Sequence, residues 1–472
     1  MSRISPGRSS TYVFTILLLI VIGGTWILSR RSISVAPLAT HFDPAKSHVV
    51  SLLAPLALRE IYSNSITKFF SSKGYSVDWV TNVHEANFQI SDVALNSSRP
   101  IQTQTQGEHV SLVPGNDMVI PTQIPIRFVS IGDAVLKNSN AIDITQQLAK
   151  ELALTLQTAK PANTWTVKAL GDVIIGRTVY KIMNQKNDWQ AAFTKTSDFT
   201  KDADLTLADF ESVLSDTVDY PTLGMTFSAP KRAAAGLNSA GIMAVNVANN
   251  HAYNNGSKAF VDTLSTLKSY NIPYFGGGVD AVEAHSPLIK EVKGVKVALL
   301  GYSSIIGTHE AGVNDPGQAY LSMKPWGDFD EKRVQQMETD IHLAKQQADL
   351  VFVYYHWGVE YTHDENADQR TVAHRAVDAG ADVILGTHPH WVQGVEWYKN
   401  KLITYSLGNF VFDQEWSTQT KQGTILSMTF DGKNLIDAKL IPYQIENYYQ
   451  PHFVDTALGN TILSDVYNHS WW

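Results

Sequence analysis

Hydrophobic and polar residues alternate with two distinct periods along the larger, C-terminal part of the chain. Amphipathic stretches with helical spacing occur at 258–270, 332–347 and 368–379. Between them lie short apolar runs of strand length, at 166–170, 205–208, 242–248, 295–301, 350–355, 383–385 and 402–405. This order of elements is typical of a βαβ-type sheet covered by helices. Two last strand patterns, at 424–430 and 438–443, predict an antiparallel end to this part of the chain.

A different pattern precedes this region. Alternating residues predict strands at 48–54, 75–80, 88–93, 109–113 and 126–131, and helical spacing predicts helices at 57–72 and 144–157. Pro, Gln, Thr and Ser between 97 and 105 predict a loop. We interpret this stretch as a small α+β domain, and it contains no cluster of catalytic residue types.

The N-terminus contains the only long apolar segment. Residues 12–28 carry no charge, and Arg3, Arg8, Arg30 and Arg31 flank them. About 17 residues is the short end of what spans a bilayer, so this segment predicts an uncleaved single-pass signal anchor. A cleaved secretory signal is the alternative, although no clean A-x-A site follows. The arginines are balanced and leave the orientation open, and we expect the remainder of the chain to lie outside the cytoplasm.

The predicted organisation therefore has five parts. They are the anchor at 1–31, a linker at 32–46, the small α+β domain at 47–161, the large domain at 162–445 and a tail at 446–472.

Charge and cysteine content narrow the function. The 472 residues carry a net charge of -8 and only 17% charged residues, which argues against nucleic acid as a partner. The chain has no cysteine, and this excludes thiolate metal sites, cysteine nucleophiles, disulfide bonds and lipoprotein anchoring.

Five predicted strands of the large domain end in residues that can bind metal. In open α/β sheets, functional residues gather at the carboxyl ends of strands. The strand ends present Asp172, then Asp209 and Glu211, then Asn249, Asn250 and His251, then His356, and finally His388 and His390. Each of these alone is an ordinary turn or capping residue. Together, hard oxygen ligands and imidazoles without sulfur suit Mn, Fe, Zn or Mg, and one carboxylate can bridge two such ions.

His388-Pro389-His390 is the sharpest single motif. Side chains two apart in an extended segment point the same way, and the proline restricts the backbone between them. We therefore expect both imidazole rings to face one cavity.

Six segments of the large domain, in this order, resemble the motifs of the CapA family of capsule (poly-γ-glutamate) biosynthesis proteins. They are GDVIIGR, ADLTLADFES, ANNHAYNNG, YYHWGVEY, AVDAGADVILGTHPHWVQGVEWY and ITYSLGNFVFD, spanning 165–413. That family is related in fold to the calcineurin-like metallophosphoesterases. The resemblance implies a mixed α/β (α+β) fold, a multilayer α-β-β-α sandwich, on a membrane-anchored protein with its domain outside the cytoplasm. It also implies a pair of divalent metal ions and a part in the synthesis, export or anchoring of an anionic surface polymer.

The resemblance assigns roles to individual residues. The implied metal ligands are Asp172, Glu211, Asn250, His356, His388 and His390. His251 would contact the substrate or the transition state, and Arg177 would contact an anion. The residues expected to line the pocket are Asp209, Asn249, Glu360, Ser406, Asn409 and Asp413. His363 and Asp364 lie in the loop after Glu360. The sequence leaves open whether they support the site or have no role in it.

Two positions depart from the family's pattern. The residue before Phe210-Glu211 is Asp209 where the family usually has Asn, and Asn254 stands where an Asp usually follows the Asn-His pair. Two functions therefore stay open. One is metal-dependent hydrolysis of an anionic ester or amide, and the other is a non-enzymatic, metal-containing subunit that holds the polymer within a capsule-synthesis complex.

Overall fold

The computed structural model describes residues 49–53, 67, 71, 76–80, 88–91, 102–106, 109–113, 118–120, 127–130 and 164–470. By their contacts, the residues of the chain form two compact units. Unit 1 contains Met1–Asp92, Thr103–Leu112 and Ile126–Leu152, and unit 2 contains Val93–Gln102, Val113–Pro125 and Ala153–Trp472.

The described strands of unit 1 form one sheet. They are β1 (Val49–Leu53), β2 (Ser76–Val80), β3 (Phe88–Ser91), β4 (Gln102–Gln106), β5 (His109–Val113) and β7 (Arg127–Ser130), in the order β2-β1-β3-β7-β5-β4. β1 pairs in parallel with β2 and β3, and the β3–β7 and β5–β7 pairs are antiparallel. The loop predicted at 97–105 is wrong at its C-terminal end, because Gln102–Gln106 is a strand of this sheet. Its alternating Gln and Thr residues carry no apolar signal, so only the pairing with a neighbour reveals it.

The predicted helix at 144–157, the anchor at 12–28 and nearly all of the predicted helix at 57–72 lie outside the described residues. Among the residues that the structure describes, no helix is both long enough and apolar enough to cross a membrane.

Unit 2 contains two larger sheets. The first is built from β6 (Met118–Ile120), β8 (Thr164–Val173), β9 (Leu205–Phe210), β12 (Ala244–Asn246), β13 (Tyr274–Phe275), β22 (Asn409–Val411), β23 (Gln422–Asp431), β24 (Asn434–Glu446) and β25 (Gln450–Phe453). Its order is β13-β12-β9-β8-β23-β24-β25, with β22 also paired to β8 and β6 to β24. The strands from β13 to β8 run parallel, and β23, β24 and β25 continue the sheet antiparallel. The predicted antiparallel end is therefore confirmed.

The second sheet of unit 2 has six strands. They are β15 (Leu288–Val292), β16 (Val295–Ser303), β18 (Leu350–His356), β19 (Val383–Thr387), β20 (Val395–Tyr398) and β21 (Lys401–Thr404), in the order β15-β16-β18-β19-β21-β20. The four inner strands are parallel and the two edge strands antiparallel. Two short pairs lie outside the large sheets, β10 (Val213–Leu214) with β11 (Ser228–Ala229), and β14 (Gly277–Gly278) with β17 (Gly317–Gln318).

Helices connect these strands. They are α1 (Arg177–Lys186), α2 (Ser197–Lys201), α3 (Ala234–Ser239), α4 (Gly256–Ser269), α5 (Ala281–His285), α6 (Glu331–Gln347), α7 (Ala367–Ala379) and α8 (Thr456–Asn468). The three helices that periodicity predicts in the large domain, α4, α6 and α7, are confirmed. The pattern missed shorter ones such as α1, whose few apolar residues leave a weak signal. Strand β25 and helix α8 lie in the segment expected to be a tail.

The side chains of β18 show how the layers are arranged. Leu350, Phe352 and Tyr354 pack in a core that draws residues from both large sheets. Val351 and Val353, which alternate with them, pack in a second core with residues of α6 and α7. Because successive strand residues point to opposite faces, this sheet is covered by the other sheet on one side and by helices on the other. A third core lies between the first sheet and residues of α1, α3 and α4, so unit 2 has four layers, helix, sheet, sheet and helix.

Candidate metal centre

The candidate site lies where the parallel strands of both sheets of unit 2 end. In the first sheet, Asp172 at the end of β8 is in register with Asp209 of β9 and with Asn409 of β22. In the second sheet, the last residue of β18, His356, is in register with Thr387 of β19. All five of these side chains are buried. The packing of one sheet on the other therefore brings the two sets of strand ends together.

Glu211, directly after β9, is the centre of the cluster. Its carboxylate belongs to two groups of buried side chains that could each hold a metal ion. The groups are Glu211 with His388 and His390, and Glu211 with Asp172 and His356, with all ligand atoms of a group within 4.8 Å of one another. Both Glu211 oxygens are buried and have no hydrogen-bond partner. One carboxylate shared by two groups is the arrangement that bridges a pair of cations.

His356 is held between a carboxylate and an amide. Its Nδ1 lies 2.7 Å from Oδ2 of Asp209, and its Nε2 lies 2.8 Å from Oδ1 of Asn250 and 3.1 Å from Nδ1 of His388. Because the ionised carboxylate only accepts, Nδ1 of His356 carries the proton and Nε2 presents a lone pair. That lone pair then faces the carbonyl oxygen of Asn250 within hydrogen-bonding distance. A cation would take both as ligands.

The prediction of an extended His388-Pro389-His390 segment is wrong. The φ angles of His388 and His390 are 90° and 58°, in the left-handed region that non-glycine residues seldom adopt. Such strain is typical of functional sites, where the surrounding structure imposes it. Both rings nevertheless reach the cluster, with their centroids 5.6 Å apart.

The contacts of these two residues explain how the bent segment is held. The backbone N–H of His388 lies 3.3 Å from both oxygens of Asp172, and Nδ1 of His390 lies 2.8 Å from Oδ1 of Asn409 and 3.3 Å from Asp172. Nε2 of His388 is buried without a partner, so it is free to bind a metal.

Four acidic side chains crowd the site. Burial raises the pKa of Glu211 well above its ordinary value, and the charges of Asp172, Asp209 and Glu360 raise it further. Burial also raises the pKa of Asp209 to about 7, against several hydrogen bonds that lower it. An excess of buried negative charge is costly unless a cation compensates it.

The histidines of the site are mostly neutral. Burial lowers the pKa of His356 and of His251 to about 3, and it lowers the pKa of His388 well below the ordinary value. His390 differs: burial lowers its pKa, but the hydrogen bonds to Asp172 and Asn409 and the charges of Asp172 and Glu360 together raise it above the ordinary value. Neutral imidazoles present lone pairs, as metal binding requires.

His251 is oriented by a neutral partner. Its Nδ1 lies 3.0 Å from Oδ1 of Asn254, and that oxygen also accepts the backbone N–H of Phe227 at 3.0 Å. Because a backbone N–H needs an acceptor, the Asn254 oxygen must face this way, and His251 donates through Nδ1. Its Nε2 points toward Glu211, 3.6 Å from Oε1.

Arg177 and Asp413 form an ion pair beside His251. The Arg177 guanidinium packs on the rings of Phe227 and Phe412, 4.7 and 5.2 Å from their centroids. Its Nη1 donates to the carbonyl of Gly224 at 3.0 Å, whereas its Nε is buried without a partner. Asp413 also accepts the N–H of Thr178 at the start of α1. Arg177 is thus a preorganised cation at the edge of the site.

The remaining expected pocket residues have supporting contacts. Asn249 lies beneath the cluster, where its amide donates to Asp209 and its oxygen accepts the N–H groups of His251 and Ala252. Ser406 accepts the backbone N–H of Gly408 at 3.2 Å and stabilises the turn before β22. Glu360 acts on the cluster through its charge.

His363 lies outside the cluster. Its Nδ1 is 2.7 Å from the carbonyl of Val392, and its Nε2 is 3.9 Å from Asp465 of α8. Asp364 pairs with His469 at 2.6 Å. Both side chains are thus held by contacts that face away from the metal-ligating atoms.

Sequence reasoning missed two site residues, Thr387 and Asn246. The Thr387 hydroxyl donates to Oδ2 of Asp209 at 2.7 Å, and the Asn246 amide donates to Oδ1 at 3.1 Å. Thr387 directly precedes the His388-Pro389-His390 motif, which was the available signal. Asn246 lies inside a predicted apolar strand, and a polar residue at such a position was the signal there.

Comparisons with known proteins show which proteins the chain resembles. A family model described as bacterial capsule synthesis protein PGA_cap matches residues 166–414. The capsule biosynthesis protein CapA of Bacillus anthracis is 32% identical over 286 residues, which cover 60% of this chain and 67% of that protein. The PGA biosynthesis protein CapA of Bacillus subtilis is 33% identical, covering 54% of this chain and 65% of that protein. A probable polyglutamine synthesis accessory protein of Mycobacterium tuberculosis is 26% identical, covering 36% of this chain and 45% of that protein.

Proposed function

Because this chain belongs to the bacterial capsule synthesis protein family PGA_cap, the family of the CapA proteins, we propose that it carries a divalent-metal-dependent hydrolytic site that serves an anionic surface polymer. The chain spans about two thirds of the length of the two Bacillus relatives. One observation carries the proposal. Glu211 has two buried, unpartnered carboxylate oxygens and belongs to two ligand groups at once.

The residues present fit a pair of metal ions. Glu211 and His388 keep buried atoms without a protein partner, and such atoms are rare in folded proteins unless water or an ion satisfies them. In the proposed site, Asp172, Glu211 and His356 hold one ion, Glu211, His388 and His390 hold the other, and Asn250 adds an amide oxygen. Oxygen and imidazole ligands suit Mn, Fe, Zn or Mg.

The four-layer arrangement of unit 2 supports the finer proposal that the large domain, 162–445, has a metallophosphoesterase-like α-β-β-α fold. In that proposal the first sheet supplies Asp172, Glu211 and Asn250, and the second supplies His356, His388 and His390. Bound divalent ions lower the pKa of a water molecule and polarise an ester or amide bond. The chain's own residues then bind the substrate and handle its proton.

His251 is the proposed proton-handling residue. It is neutral, it donates through Nδ1 to Asn254, and its free Nε2 lies beside Glu211. It can therefore accept a proton from the attacking water at Nε2 and give that proton to the leaving group. Arg177 is the proposed anion contact, since its guanidinium is held in place by Asp413 and by the rings of Phe227 and Phe412.

We propose an anionic polymer of the poly-γ-glutamate kind, or an anionic ester or amide, as the substrate. The CapA relatives are named for capsule and PGA biosynthesis. In this proposal the predicted segment 12–28 anchors the protein to the cell membrane, the soluble domain lies outside the cytoplasm, and other capsule-synthesis subunits are partners.

One observation favours a second candidate, a non-enzymatic, metal-containing subunit that holds the polymer. Asn254 gives His251 a neutral partner where a carboxylate would stabilise its protonated form. A site weakened in acid–base chemistry still binds metal, and bound metal still attracts carboxylates.

Metal analysis of the purified full-length protein in detergent, combined with assays, tests both candidates. The assays use a phosphodiester and a γ-glutamyl amide, each with and without added Mn²⁺ or Zn²⁺. We expect about two metal ions per chain in the wild type and metal-dependent turnover that is lost in Glu211→Gln. Metal binding without turnover would support the holding subunit, and a protein that binds no metal would overturn both.

A further inference from the structure

Asp209 is buried, and both of its carboxylate oxygens accept hydrogen bonds. Oδ1 accepts from the amides of Asn246 and Asn249, at 3.1 and 3.2 Å. Oδ2 lies 2.7 Å from the hydroxyl of Thr387 and 2.7 Å from Nδ1 of His356. Among the candidate metal ligands, His356 contacts Asp209 through Nδ1, the ring nitrogen that faces away from Glu211.

The side-chain amides of Asn246 and Asn249, which donate to Oδ1 of Asp209, cannot flip to exchange their oxygen and nitrogen atoms. The Asn246 oxygen accepts the N–H of Ala248 at 3.1 Å, and its Nδ2 also donates to the carbonyl of Ala248. The Asn249 oxygen accepts two backbone N–H groups, and its Nδ2 also donates to the carbonyl of Phe210 at 3.0 Å. Because these backbone groups have definite polarity, both amides present N–H to Oδ1. Whatever occupies position 209 must place an acceptor there.

We infer that Asp209 is a positioning residue that holds His356 in the tautomer protonated at Nδ1, and so directs Nε2 of His356 to a metal ion. An ionised carboxylate accepts at both oxygens, so His356 must donate through Nδ1. Its Nε2, 3.6 Å from Glu211 and 2.8 Å from Asn250, is then a lone pair in the ligand set. Carboxylates that accept from a ligating histidine orient the ring and make it a better ligand.

An asparagine at this position has the opposite effect. Its oxygen must occupy the Oδ1 place, because two N–H donors converge there, and its Nδ2 must then face His356. Thr387 can accommodate this change, since its hydroxyl can donate to the carbonyl of Tyr355 at 3.2 Å. His356 can do so only by accepting at Nδ1 and carrying its proton on Nε2, which removes the Nε2 lone pair from the ligand set. An asparagine at position 209 would therefore favour the tautomer of His356 that cannot bind a metal ion through Nε2.

The test compares the full-length wild type with Asp209→Asn and Asp382→Asn at pH 8. Asp382 is also a buried residue, and its carboxylate pairs with Lys345 and Lys401 away from the site. Titration calorimetry measures binding of Mn²⁺ and of Zn²⁺. The inference, which rests on the proposed metal centre, predicts roughly 10–100-fold weaker binding in Asp209→Asn and wild-type binding in Asp382→Asn.

A second readout does not depend on metal. Nitrogen NMR of the metal-free protein with ¹⁵N-labelled histidine distinguishes protonated from unprotonated ring nitrogens, and the His356→Gln variant assigns the signal. We expect Nδ1–H in the wild type and Nε2–H in Asp209→Asn. An unchanged tautomer, or equal metal affinity in Asp209→Asn and wild type, would overturn the inference and leave the metal centre intact. A wild type that binds no metal would instead overturn the proposed function, and the NMR result alone would then decide the tautomer.

Discussion

Glu211 has a buried carboxylate to which no group in the described part of the chain donates a hydrogen bond. Burial and the charges of three other acids raise its pKa. A carboxyl group whose pKa is higher in the folded protein than in the unfolded chain favours folding at low pH. That contribution is lost as the pH rises from the ordinary pKa, near 4.5, toward the raised pKa of the folded state. The metal-free protein is therefore expected to lose stability over this range.

The variant Glu211→Gln tests this expectation. It removes the buried charge at nearly constant volume, so the metal-free protein should gain on the order of 1–3 kcal/mol at pH 8. The gain should shrink as the pH falls toward 4.5, where the wild-type carboxyl group is protonated. Thermal unfolding in the presence of a chelator, followed across pH, measures both effects. A Glu211→Gln protein that is less stable than wild type at pH 8 would show that the carboxylate has a compensating partner.

His388 and His390 should matter for metal content where His363 does not. Replacing either His388 or His390 with Ala removes one ligand of the group that includes Glu211, and bound metal should fall by about one ion per chain. His363→Ala should change metal content little, because that ring bonds to a backbone carbonyl outside the cluster. Elemental analysis of the three variants decides. Equal metal content in all three variants would show that the His388-Pro389-His390 motif serves packing and does not bind metal.

His251 separates catalysis from metal holding. Its Nε2 lies beside Glu211 but belongs to neither ligand group. His251→Ala should therefore keep its fold and most of its metal, and lose activity by roughly 10²–10⁴-fold. Circular dichroism, elemental analysis and the hydrolysis assay measure the three properties. If cells with this variant display polymer normally while it retains metal, hydrolysis is not its function.

At the scale of elements, the site depends on a close crossing of β8 with the turn before β22. A Cβ atom at Gly171 would lie only 1.8 Å from the carbonyl oxygen of Gly408, which accepts the N–H of Asp172 at 3.2 Å. Gly408 itself has a φ of 76°. The absence of a side chain at Gly171 lets the two segments approach and places Asp172 level with Asn409.

Gly171→Ala should force these two segments apart. We expect a loss of about 1–3 kcal/mol in the free energy of unfolding, as for other overpacked cores, together with weaker metal binding because Asp172 moves. Gly459→Ala in α8 is the matched control, since the nearest atom to its added methyl group is a Pro442 side-chain carbon at 3.2 Å. Its stability should stay close to wild type. Chemical denaturation and metal titration of both variants check this, and a fully stable Gly171→Ala protein would contradict the crossing argument.

At the scale of the whole molecule, the chain joins a predicted membrane segment to a domain with a buried polar site. Residues 12–28 are uncharged, and a protein anchored there should stay with membranes after a high-salt wash. Its mature N-terminus should lie at or near Met1. Cell fractionation and N-terminal sequencing measure both. A mature chain that begins near Thr40 would replace the anchor with a cleaved secretory signal.

Much of unit 2 could be predicted from local patterns. The strands at 205–208, 295–301 and 350–355 were recognisable because each is a short segment rich in apolar residues, and β9, β16 and β18 contain them. Polar residues directly after such runs marked the strand ends. By contrast, β4 consists of Gln and Thr, and its pairing was invisible to a pattern that looks for apolar residues.

The sequence by itself determined which residues could bind metal, because their chemical type and their position after buried strands are local properties. Only the tertiary structure decided how they combine. Glu211 is shared by two ligand groups, and Asp209 holds His356, 147 positions further along the chain, because the two sheets pack on each other. His363 is held outside the cluster by the carbonyl of Val392. The backbone of His388 and His390 shows the same division. The His388-Pro389-His390 motif predicted two ligands from sequence. Its strained backbone conformation, however, is held by contacts with Asp172 and Asn409, which only the tertiary structure supplies.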